Sequence, residues 1–477
     1  MFNPYSFSTM LKTTLIGHAS LLIQSRETTI LTDPVWFDYL WEEINVLCPR
    51  TELDKDAIPP VDVLFLTHRH QDHFDVRTLA YLRRNNRILK PDVRIMAPKD
   101  DIVLEVLKEL EFDKIEIHAD FEPVQVKDVT ITPTPSLNQS STSQDYFPEH
   151  GLLVHDGEVT AWNQVDTIVN PEIIDHIRQL HGGVDLAHSR FLPLLEGYFT
   201  YHKPVILPFD EYCSFLNTMR ALAPRFVVPG SAAFRYRDEF SFMNHYTFPT
   251  TQEQFLRDLS EFCPEIQSGT FLSGDVAHIT PNGIRVESQG SDFVRTVEND
   301  SHRVAFKPVL EVSPIRTQTT DLAQHEQEMN VVREFIENQL MDRILKSEIL
   351  EGWKHWQIVY QLEVFGQGES EIWSIDFSLA ELCIQKKDLN RISLYEGIAC
   401  SELYALIQGT TSWDYVALCG NYRTFNNIYR ITHGHLEYFP SEKISQVLEP
   451  LMDVFPADLA MDREKYLKDV RRWKEKA

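Results

Sequence analysis

The chain has little of three things that mark familiar classes of protein. Its 477 residues include six cysteines, and no two of them form a C-x-x-C pair. Lys and Arg together number 45 against 71 Asp and Glu, which gives a formal net charge of −26. No apolar run approaches the roughly 20 residues that a membrane-spanning helix needs. These shortages argue against a disulfide framework, against binding to the phosphates of nucleic acids, and against a transmembrane segment.

The start of the sequence also lacks the pattern of a secretion signal. Residues 1–10 show no basic segment followed by an apolar one, so no signal peptide is predicted. In a reducing compartment the six thiols would stay free. We therefore expect a cytoplasmic protein whose partners do not include nucleic acid.

What the chain does have is a dense group of potential metal ligands. His68, His70, Asp72 and His73 follow the largely apolar run 61–66, which predicts a buried strand. Because side chains alternate along a strand, His68 and His70 can share one face. Asp72 and His73 lie beyond its end, where a turn can direct them to a second metal. Imidazole and carboxylate groups suit zinc, iron or manganese, and so many ligands in one place favour two adjacent ions.

The H-x-H-x-D-H pattern resembles the signature of the metallo-β-lactamase superfamily. Two further segments, G-H-A-S-L-L-I at residues 17–23 and L-T-D-P-V-W at residues 31–36, are similar to the opening strands of one branch. That branch contains the ascorbate-6-phosphate lactonases and the N-acyl phosphatidylethanolamine phospholipases. The resemblance implies an α+β fold, a four-layer αββα metallo-β-lactamase sandwich over residues 1–300.

The resemblance also implies ligands outside the motif. Asp166, in V-D-T at residues 165–167, stands where the family has its bridging carboxylate; the alternative is an Asp that caps the next helix. His245 lies close to the family's last ligand histidine, with an ordinary loop histidine as its alternative. His18 and Asp33 would lie beneath the metals and orient ligands rather than bind directly.

The third histidine of the first metal is missing. In T-P-T-P-S-L-N at residues 132–138, Leu137 or Asn138 stands where the family has His. Leu cannot bind a metal, and Asn offers a weak neutral oxygen. His150 could reach in from the next strand, with His118 as a second substitute. Either the first shell is rearranged, or one of its positions is weak or empty.

A second resemblance concerns the metal itself. V-D-L-A-H-S-R at residues 184–190 and F-V-V-P-G-S-A-A-F at residues 226–234 are similar to the metal domain of CMP-N-acetylneuraminate hydroxylases, which implies an iron oxygenase. That family carries a Rieske iron–sulfur domain with C-x-H and C-x-x-H spacing. This spacing does not occur in the sequence, so electrons would have to come from a separate partner.

The sequence predicts a second, smaller unit after the sandwich. Composition becomes polar and broken by Gly and Pro around residues 281–314, which predicts a boundary near 300 and an α+β accessory domain over 301–477. Apolar spacing predicts a helix over 324–350. The run 391–399 and the block 406–409 resemble a sterol-carrier-protein-2-like domain; an unrelated α+β domain is the alternative.

Three functions are compatible with these patterns. The first is hydrolysis of an ester, lactone, amide or phosphodiester in a small-molecule or lipid-like substrate. Two divalent metal ions, zinc in the first place and iron or manganese otherwise, would activate water, and Asp72 would orient it. The second is a diiron oxygenase supplied by a separate electron-transfer partner. The third is a non-catalytic protein with a structural metal, against which the lack of Cys among the ligands argues.

Overall fold

Two β-sheets stacked face to face form the centre of the N-terminal part. The computed structural model describes residues 11–85, 87–137, 147–203, 205–231, 234–304, 307, 311–347, 350–438, 451 and 459–475. The strands, in chain order, are β1 (Leu11–Gly17), β2 (Ser20–Gln24), β3 (Thr29–Thr32), β4 (Tyr39–Leu40), β5 (Asn45–Leu47), β6 (Arg50–Leu53), β7 (Val61–Phe65), β8 (Leu89–Ala97), β9 (Ile115–Ile117), β10 (Val124–Val126), β11 (Val129–Pro135), β12 (His150–His155), β13 (Thr160–Asn163), β14 (Leu186–Arg190), β15 (Phe226–Gly230), β16 (Phe234–Tyr236), β17 (Gln267–Ser268), β18 (Val276–Thr280), β19 (Gly283–Glu287), β20 (Val294–Glu298), β21 (Val359–Phe365), β22 (Ser370–Asp376), β23 (Leu394–Ala399), β24 (Tyr422–Asn426), β25 (Tyr429–Thr432) and β26 (His435–Tyr438).

Helices flank the sheets and make up most of the chain between residues 320 and 360. They are α1 (Val76–Arg84), α2 (Asp101–Glu109), α3 (Pro171–Gln179), α4 (Glu196–Thr200), α5 (Phe209–Leu222), α6 (Asn244–Thr247), α7 (Gln252–Phe262), α8 (Leu322–Phe335), α9 (Met341–Ile344), α10 (Leu350–His355), α11 (Cys400–Ile407), α12 (Trp413–Leu418) and α13 (Leu459–Glu475). In the part of the chain that the structure describes, no helix has both the length and the apolar character needed to cross a membrane.

The N-terminal layers stack in the order helix, sheet, sheet, helix. The first sheet has the strand order β19-β18-β1-β2-β3-β7-β8-β9 and the second β10-β11-β12-β13-β14-β15-β17. Leu21 and Phe65 of the first sheet pack against Ile131 and Leu152 of the second. Helices α1 and α2 cover the outside of the first sheet, and α3, α5 and α7 cover the outside of the second. The predicted four-layer αββα sandwich is therefore confirmed.

Strand β7 shows why the sequence adopts these layers. Val63 and Phe65 face the second sheet, whereas Leu64 faces the helices on the other side. A strand that is apolar on both faces is stable only between two layers, and β7 is buried along its whole length. Its parallel neighbours β3 and β8 lie on either side. The ligand motif thus begins where the most buried strand of the sheet ends.

One predicted strand is in fact two. The continuous apolar pattern of residues 13–23 predicts a single strand, but the chain reverses at His18 and Ala19 between β1 and β2. His18 has a φ of 49°, in the left-handed region that a tight reversal needs. Gly17, His18 and Ser20 interrupt the apolar run at this turn, but the prediction missed it because these residues lie buried between two apolar segments.

The chain from α8 to β26 has a core of its own. Its mixed sheet has the order β22-β21-β23-β24, and helix α8 packs on it through Val332 and Phe335. The helix predicted over 324–350 is interrupted, because a π-helical turn at Ile336–Leu340 separates α8 from α9. This part has the α+β character expected of the accessory domain. The resemblance to sterol-carrier-protein-2 stays a prediction.

Helix α13 packs against α1 and α2 of the sandwich. Tyr466 and Val470 join the core beneath those two helices, and Arg463 pairs with Glu105 of α2 at 2.5 Å. The Tyr466 hydroxyl donates to the backbone carbonyl of Arg69, inside the ligand motif. A division of the chain at residue 300 therefore separates α13 from the helices on which it packs.

Candidate metal centre

The H-x-H-x-D-H motif forms the loop between β7 and α1, at an edge of the sandwich. The amides of His73 and Phe74 both donate to the His70 carbonyl, at 2.9 and 2.7 Å, and close a tight turn. Helix α1 begins directly afterwards, because the Asp75 carboxylate accepts from the amide and the hydroxyl of Thr78, at 3.2 and 2.6 Å. This helix cap fixes where the loop ends, so the turn directs all four motif side chains to one place.

The first ligand group consists of His68, His70 and Asp166. Nε2 of His68 lies 3.0 Å from Nδ1 of His70. With one Asp166 oxygen, these atoms all fall within 4.8 Å of one another, a spacing that suits one metal ion. Asp166 reaches the group from the loop after β13, in the second sheet.

The second ligand group consists of His18, Asp72 and His73. Nε2 of His18 lies 3.0 Å from Oδ2 of Asp72 and 3.2 Å from Nε2 of His73. Nε2 of His73 is in turn 3.2 Å from Oδ2 of Asp166. Asp166 therefore contacts both groups and has the position of the predicted bridging carboxylate.

The structure places His18 among the ligands rather than beneath them. We expected a supporting role, but its Nε2 atom points at the same space as those of Asp72 and His73. The turn between β1 and β2, which the apolar pattern concealed, is what carries the ring to the sheet edge. His18 thus holds the third place in the second group, for which His245 was predicted.

Asp33 has the supporting role that the sequence predicts, and it supports both groups. Its Oδ2 accepts from Nδ1 of His73 at 3.0 Å and from the Thr67 hydroxyl at 2.6 Å. Because that hydroxyl donates to Asp33, it accepts from Nδ1 of His68, 3.0 Å away. One buried carboxylate therefore keeps the proton of both imidazoles on Nδ1 and leaves each Nε2 available to a metal.

The loop that carries Asp166 is held rigidly. Thr167 donates its hydroxyl to the Gln164 carbonyl at 2.7 Å, and the Gln164 amide group returns a bond to the Thr167 carbonyl at 3.1 Å. Val165 has a φ of 57°, which turns the chain sharply after β13. The Arg190 guanidinium donates to the Asp166 carbonyl at 3.0 Å, so the bridging side chain starts from a fixed backbone.

The charges at the centre fit a pair of cations. Burial raises the pKa of Asp166, but His73 and His68 outweigh it and hold that pKa well below the usual range. Burial together with His73 and His70 lowers the pKa of His68 well below its usual value, so this ring is neutral. Asp72 is buried, yet its Oδ1 has no hydrogen-bond partner among the described residues. Burial lowers the pKa of His73, but the Asp72 and Asp166 carboxylates outweigh it and raise that pKa well above its usual value, so this ring holds a proton that a bound cation would displace. The neutral His68 ring, the ionised carboxylates and an unpartnered buried oxygen form a donor set that a divalent metal completes.

Glu149 is the functional residue that sequence analysis missed. It is 4% exposed, and its Oε1 lies 3.8 Å from Nδ1 of His68. Burial and the nearby Asp166 carboxylate raise the pKa of Glu149 to about 7. A carboxylate therefore stands beside the first group, which lacks its third histidine. Glu149 stands directly before His150 in the sequence, but our prediction chose His150 as the substitute ligand.

His150 and His118 do not join either ligand group, which corrects the prediction that one of them replaces the missing histidine. Nε2 of His150 contacts the Asp120 carboxylate at 2.8 Å. Its ring packs edge-on against His118 at 4.5 Å. Nε2 of His118 donates to the Leu66 carbonyl at 3.0 Å, and burial with His150 lowers the pKa of His118 to about 3. Both rings serve the packing beside β7.

Other predicted positions also lie away from the centre. His245 is on α6 and is in neither ligand group; its buried Nδ1 has no hydrogen-bond partner among the described residues. The Leu137 side chain is 52% exposed. Asn138 lies outside the described residues.

Comparison with known families agrees with this geometry. Residues 28–194 match the model of the "Beta-lactamase superfamily domain". This segment is a β-lactamase superfamily domain. The predicted resemblance to the superfamily is thereby confirmed, and a mixed set of His and Asp side chains able to hold metal lies at the edge of that domain. The finer likeness to the lactonase and phospholipase branch stays a prediction.

Several curated proteins are similar to part of this chain. A "Putative Rieske 2Fe-2S iron-sulfur protein" of Mycolicibacterium smegmatis is 29% identical over 184 residues, 37% of this chain and 33% of that protein. A UPF0173 protein of Pyrococcus furiosus is 30% identical over 110 residues, 22% and 45% of the two chains. A 4-amino-L-phenylalanyl-(CmlP-peptidyl-carrier-protein) 3-hydroxylase of Streptomyces venezuelae is 26% identical over 174 residues, 36% and 32% of the two chains. The match to the first of these spans about one third of that relative's length.

Solved structures of similar outline include CmlA, a diiron β-hydroxylase from Streptomyces venezuelae. It has a TM-score of 0.38 and 16% identity, and the alignment covers 60% of this chain and 55% of that one. The metallo-β-lactamase fold protein YhfI from Bacillus subtilis has a TM-score of 0.38 and 14% identity, with coverage of 56% and 98%.

Proposed function

We propose that the protein is a dinuclear iron enzyme that oxygenates a small-molecule or lipid-like substrate. The observation that carries this proposal is Glu149, a buried carboxylate beside His68 at the group that lacks its third histidine. Together with Asp72 and Asp166, Glu149 makes three carboxylates at or beside the centre. The histidines are His18, His68, His70 and His73. Mixed sets of carboxylates and histidines of this kind are typical of di-iron and di-manganese proteins.

The named relatives support this choice of metal. One of them is called a 3-hydroxylase, and others are called Rieske iron–sulfur proteins. Each match covers only part of those proteins, so their activities come to this chain as a proposal. The C-x-H and C-x-x-H spacing of a Rieske domain does not occur in this sequence. We therefore propose that a separate protein delivers electrons to the centre.

The chain's own residues prepare the centre for such chemistry. Two bound iron ions would supply the redox capacity that dioxygen activation requires. His68, His70 and Asp166 would hold one ion, and His18, Asp72 and His73 the other, with Glu149 beside Nδ1 of His68. The proton that Asp33 keeps on Nδ1 of His73 leaves Nε2 as the donor atom.

Hydrolysis is the second candidate, and the free oxygen of Asp72 favours it. Oδ1 of Asp72 is buried and has no partner among the described residues, so it could accept a proton from a water molecule held at the centre. With zinc in both places, such a water would be acidic enough to act as a nucleophile near neutral pH. The substrate would then be an ester, lactone, amide or phosphodiester.

The test is the metal content of the purified protein, together with its electronic spectrum before and after dithionite. Iron with a near-ultraviolet absorption that bleaches on reduction supports the oxygenase. Two colourless zinc ions with esterase or lactonase turnover contradict it and favour the second candidate. No bound metal, even after reconstitution, contradicts both.

The variant Glu149→Gln tests the observation that carries the proposal. We expect it to lose iron, because a neutral amide replaces the carboxylate beside the first group. His150→Gln is the matched control: it changes the adjacent, equally buried residue, whose Nε2 contacts Asp120, and should keep its iron. Equal iron loss in the two variants would show that Glu149 has no special role.

A further inference from the structure

A cavity of about 520 Å³ adjoins the metal centre at His18. The loop after β15 supplies Gly230 and Ser231, and the segment before α7 supplies Thr250. Phe271 closes another side. His18 belongs to both places, because its Nε2 contacts Asp72 while its ring lines the cavity. A space of this size accommodates a small organic molecule.

Aromatic rings form much of the cavity wall. Four phenylalanines line it, namely Phe191, Phe234, Phe248 and Phe271. Phe234 contacts the His18 ring edge-to-face, with centroids 5.7 Å apart, and contacts Phe248 in the same way at 5.4 Å. Rings in this arrangement present both edges and faces to a neighbour, which is the environment that a further aromatic ring prefers.

Two hydroxyl groups in the wall have no hydrogen-bond partner among the described residues. Thr250 is 4% exposed, and its Oγ1 is unpartnered although it is buried. The Oγ of Ser231, on the adjoining loop, is also a buried atom without a hydrogen-bond partner among the described residues. Buried hydroxyls nearly always have a hydrogen-bond partner. A ligand with one polar group would give both of these hydroxyls the partner that they lack.

The charges of the wall decide which polar group fits. The described residues that line the cavity include no Lys or Arg, and their single carboxylate, Glu253, is exposed. The Cys48 thiol donates to Asp300, and burial raises the pKa of that thiol well above its usual value, so it stays neutral. Apart from the imidazoles of His18 and His302, a ligand carboxylate or phosphate would have no basic side chain to pair with in the metal-free protein, and it would lose its hydration. The complementary ligand is therefore uncharged.

We propose that this cavity binds an aromatic ring that carries an uncharged hydroxyl group, with the hydroxyl at Thr250 and Ser231. The cavity would hold the non-reacting part of the substrate. The metal centre would lie at the border of the cavity, where His18 belongs to both. Only the identity of the ligand as a substrate rests on the proposed function, since binding in the cavity needs no metal.

The test is calorimetric titration of 3-phenylpropan-1-ol into the full-length protein, with and without metal. We expect one molecule to bind per chain in both forms. In the metal-free protein the carboxylate analogue 3-phenylpropanoate should bind on the order of tenfold more weakly, because it would be desolvated without a basic side chain opposite it. Equal affinity for the two compounds, or no binding of the alcohol, would overturn the proposal.

Variants locate the binding in the cavity. Thr250→Val keeps the shape and removes the hydroxyl, so affinity should fall by roughly three- to tenfold. Leu272→Trp places a larger side chain in the wall and should abolish binding. Thr247→Val is the matched control, because Thr247 is equally buried and its hydroxyl is also unpartnered, but it does not line the cavity. An unchanged affinity in Thr250→Val, or binding that is retained in Leu272→Trp, contradicts the proposal.

A paramagnetic probe separates this inference from the proposed function. With Mn²⁺ in the centre, the ring protons of the bound alcohol should relax faster than in the metal-free protein, because the cavity borders the centre at His18. Fast relaxation with Mn²⁺, combined with zinc rather than iron in the purified protein, would keep the cavity and reject the iron chemistry. Binding to the loaded protein with unchanged relaxation would place the ligand elsewhere and overturn the cavity site.

Discussion

At the scale of the residue, Asp33 connects the two halves of the centre. It accepts from Nδ1 of His73 directly and is linked to His68 through the Thr67 hydroxyl. Both contacts act on the nitrogen that does not face the metal. The tautomers of the two rings are therefore fixed by one buried carboxylate, which contacts His73 directly and His68 through Thr67.

We predict that Asp33→Asn weakens metal binding by about tenfold or more, the usual cost of losing a carboxylate behind a ligand histidine. The amide has one acceptor oxygen, so it cannot accept from Nδ1 of His73, the Thr67 hydroxyl and the Thr67 backbone N–H together as the carboxylate does. Competition with a chromophoric chelator measures the change. Asp38→Asn, in an exposed loop, serves as control, and an equal loss in that variant would remove the special role of Asp33.

The motif ligands could be predicted because His68, His70, Asp72 and His73 lie within six positions of one another. Local spacing alone says that such side chains meet. His18 and Glu149 reach the centre only through the pairing of strands and the turn after β1. A single sequence carries no direct signal of those contacts, so the first was given a supporting role and the second was missed.

At the scale of the element, α13 is tied to the ligand loop. The Tyr466 hydroxyl donates to the Arg69 carbonyl, which lies between His68 and His70. The ring packs edge-to-face against Phe74, with centroids 5.8 Å apart. A helix almost 400 positions later in the chain thus limits the movement of the peptide that joins two ligands of the first group.

We predict that Tyr466→Phe speeds the release of metal while stability falls by only about 1 kcal/mol, the typical contribution of one hydrogen bond. The ring still fills the core, so only the restraint on the Arg69 carbonyl is lost. Stopped-flow release into a chelator measures the rate. Tyr429→Phe, at an exposed site, is the control, and identical rates in all three proteins would contradict the prediction.

Elements were predicted well where apolar patterns were regular and poorly where burial was complete on every side. Helices α1 and α2 have one apolar face, and this spacing predicts helices over 75–86 and 101–111, close to their observed ends. Helix α5 (Phe209–Leu222) was not predicted, because its buried positions include polar Thr218 and its exposed start carries Phe209. The π-helical turn after α8 keeps the apolar spacing of a helix, so the pattern could not reveal it.

At the scale of the whole molecule, a buried carboxylate in the part of the chain from α8 to β26 makes the stability of the fold depend on pH. Glu402 is 2% exposed, and its Oε1 accepts from the Asn421 side chain at 2.9 Å. Burial raises the pKa of Glu402 to about 7, against 4.5 for the free side chain. The folded state therefore holds this proton at pH values where the unfolded state has lost it.

We predict that wild-type stability falls as the pH rises from about 4.5 to 7, by up to about 3 kcal/mol from this group. A raised pKa stabilises the fold fully below the lower value, and that contribution is gone above the higher one. Glu402→Gln should lack this component and gain on the wild type above pH 7 in chemical denaturation. Glu369→Gln, exposed at a turn, should follow the wild-type profile; parallel profiles for all three proteins would refute the assignment.

Asp166 comes from the second sheet, while the H-x-H-x-D-H loop belongs to the first. A metal pair held by both would join the two layers at their open edge, much as a covalent crosslink would. Ligands that bind only the folded state add RT ln(1 + [L]/Kd) to the free energy of unfolding. The resistance of this protein to unfolding should therefore rise with the logarithm of the free metal concentration, so that the melting temperature reports how much metal its surroundings supply.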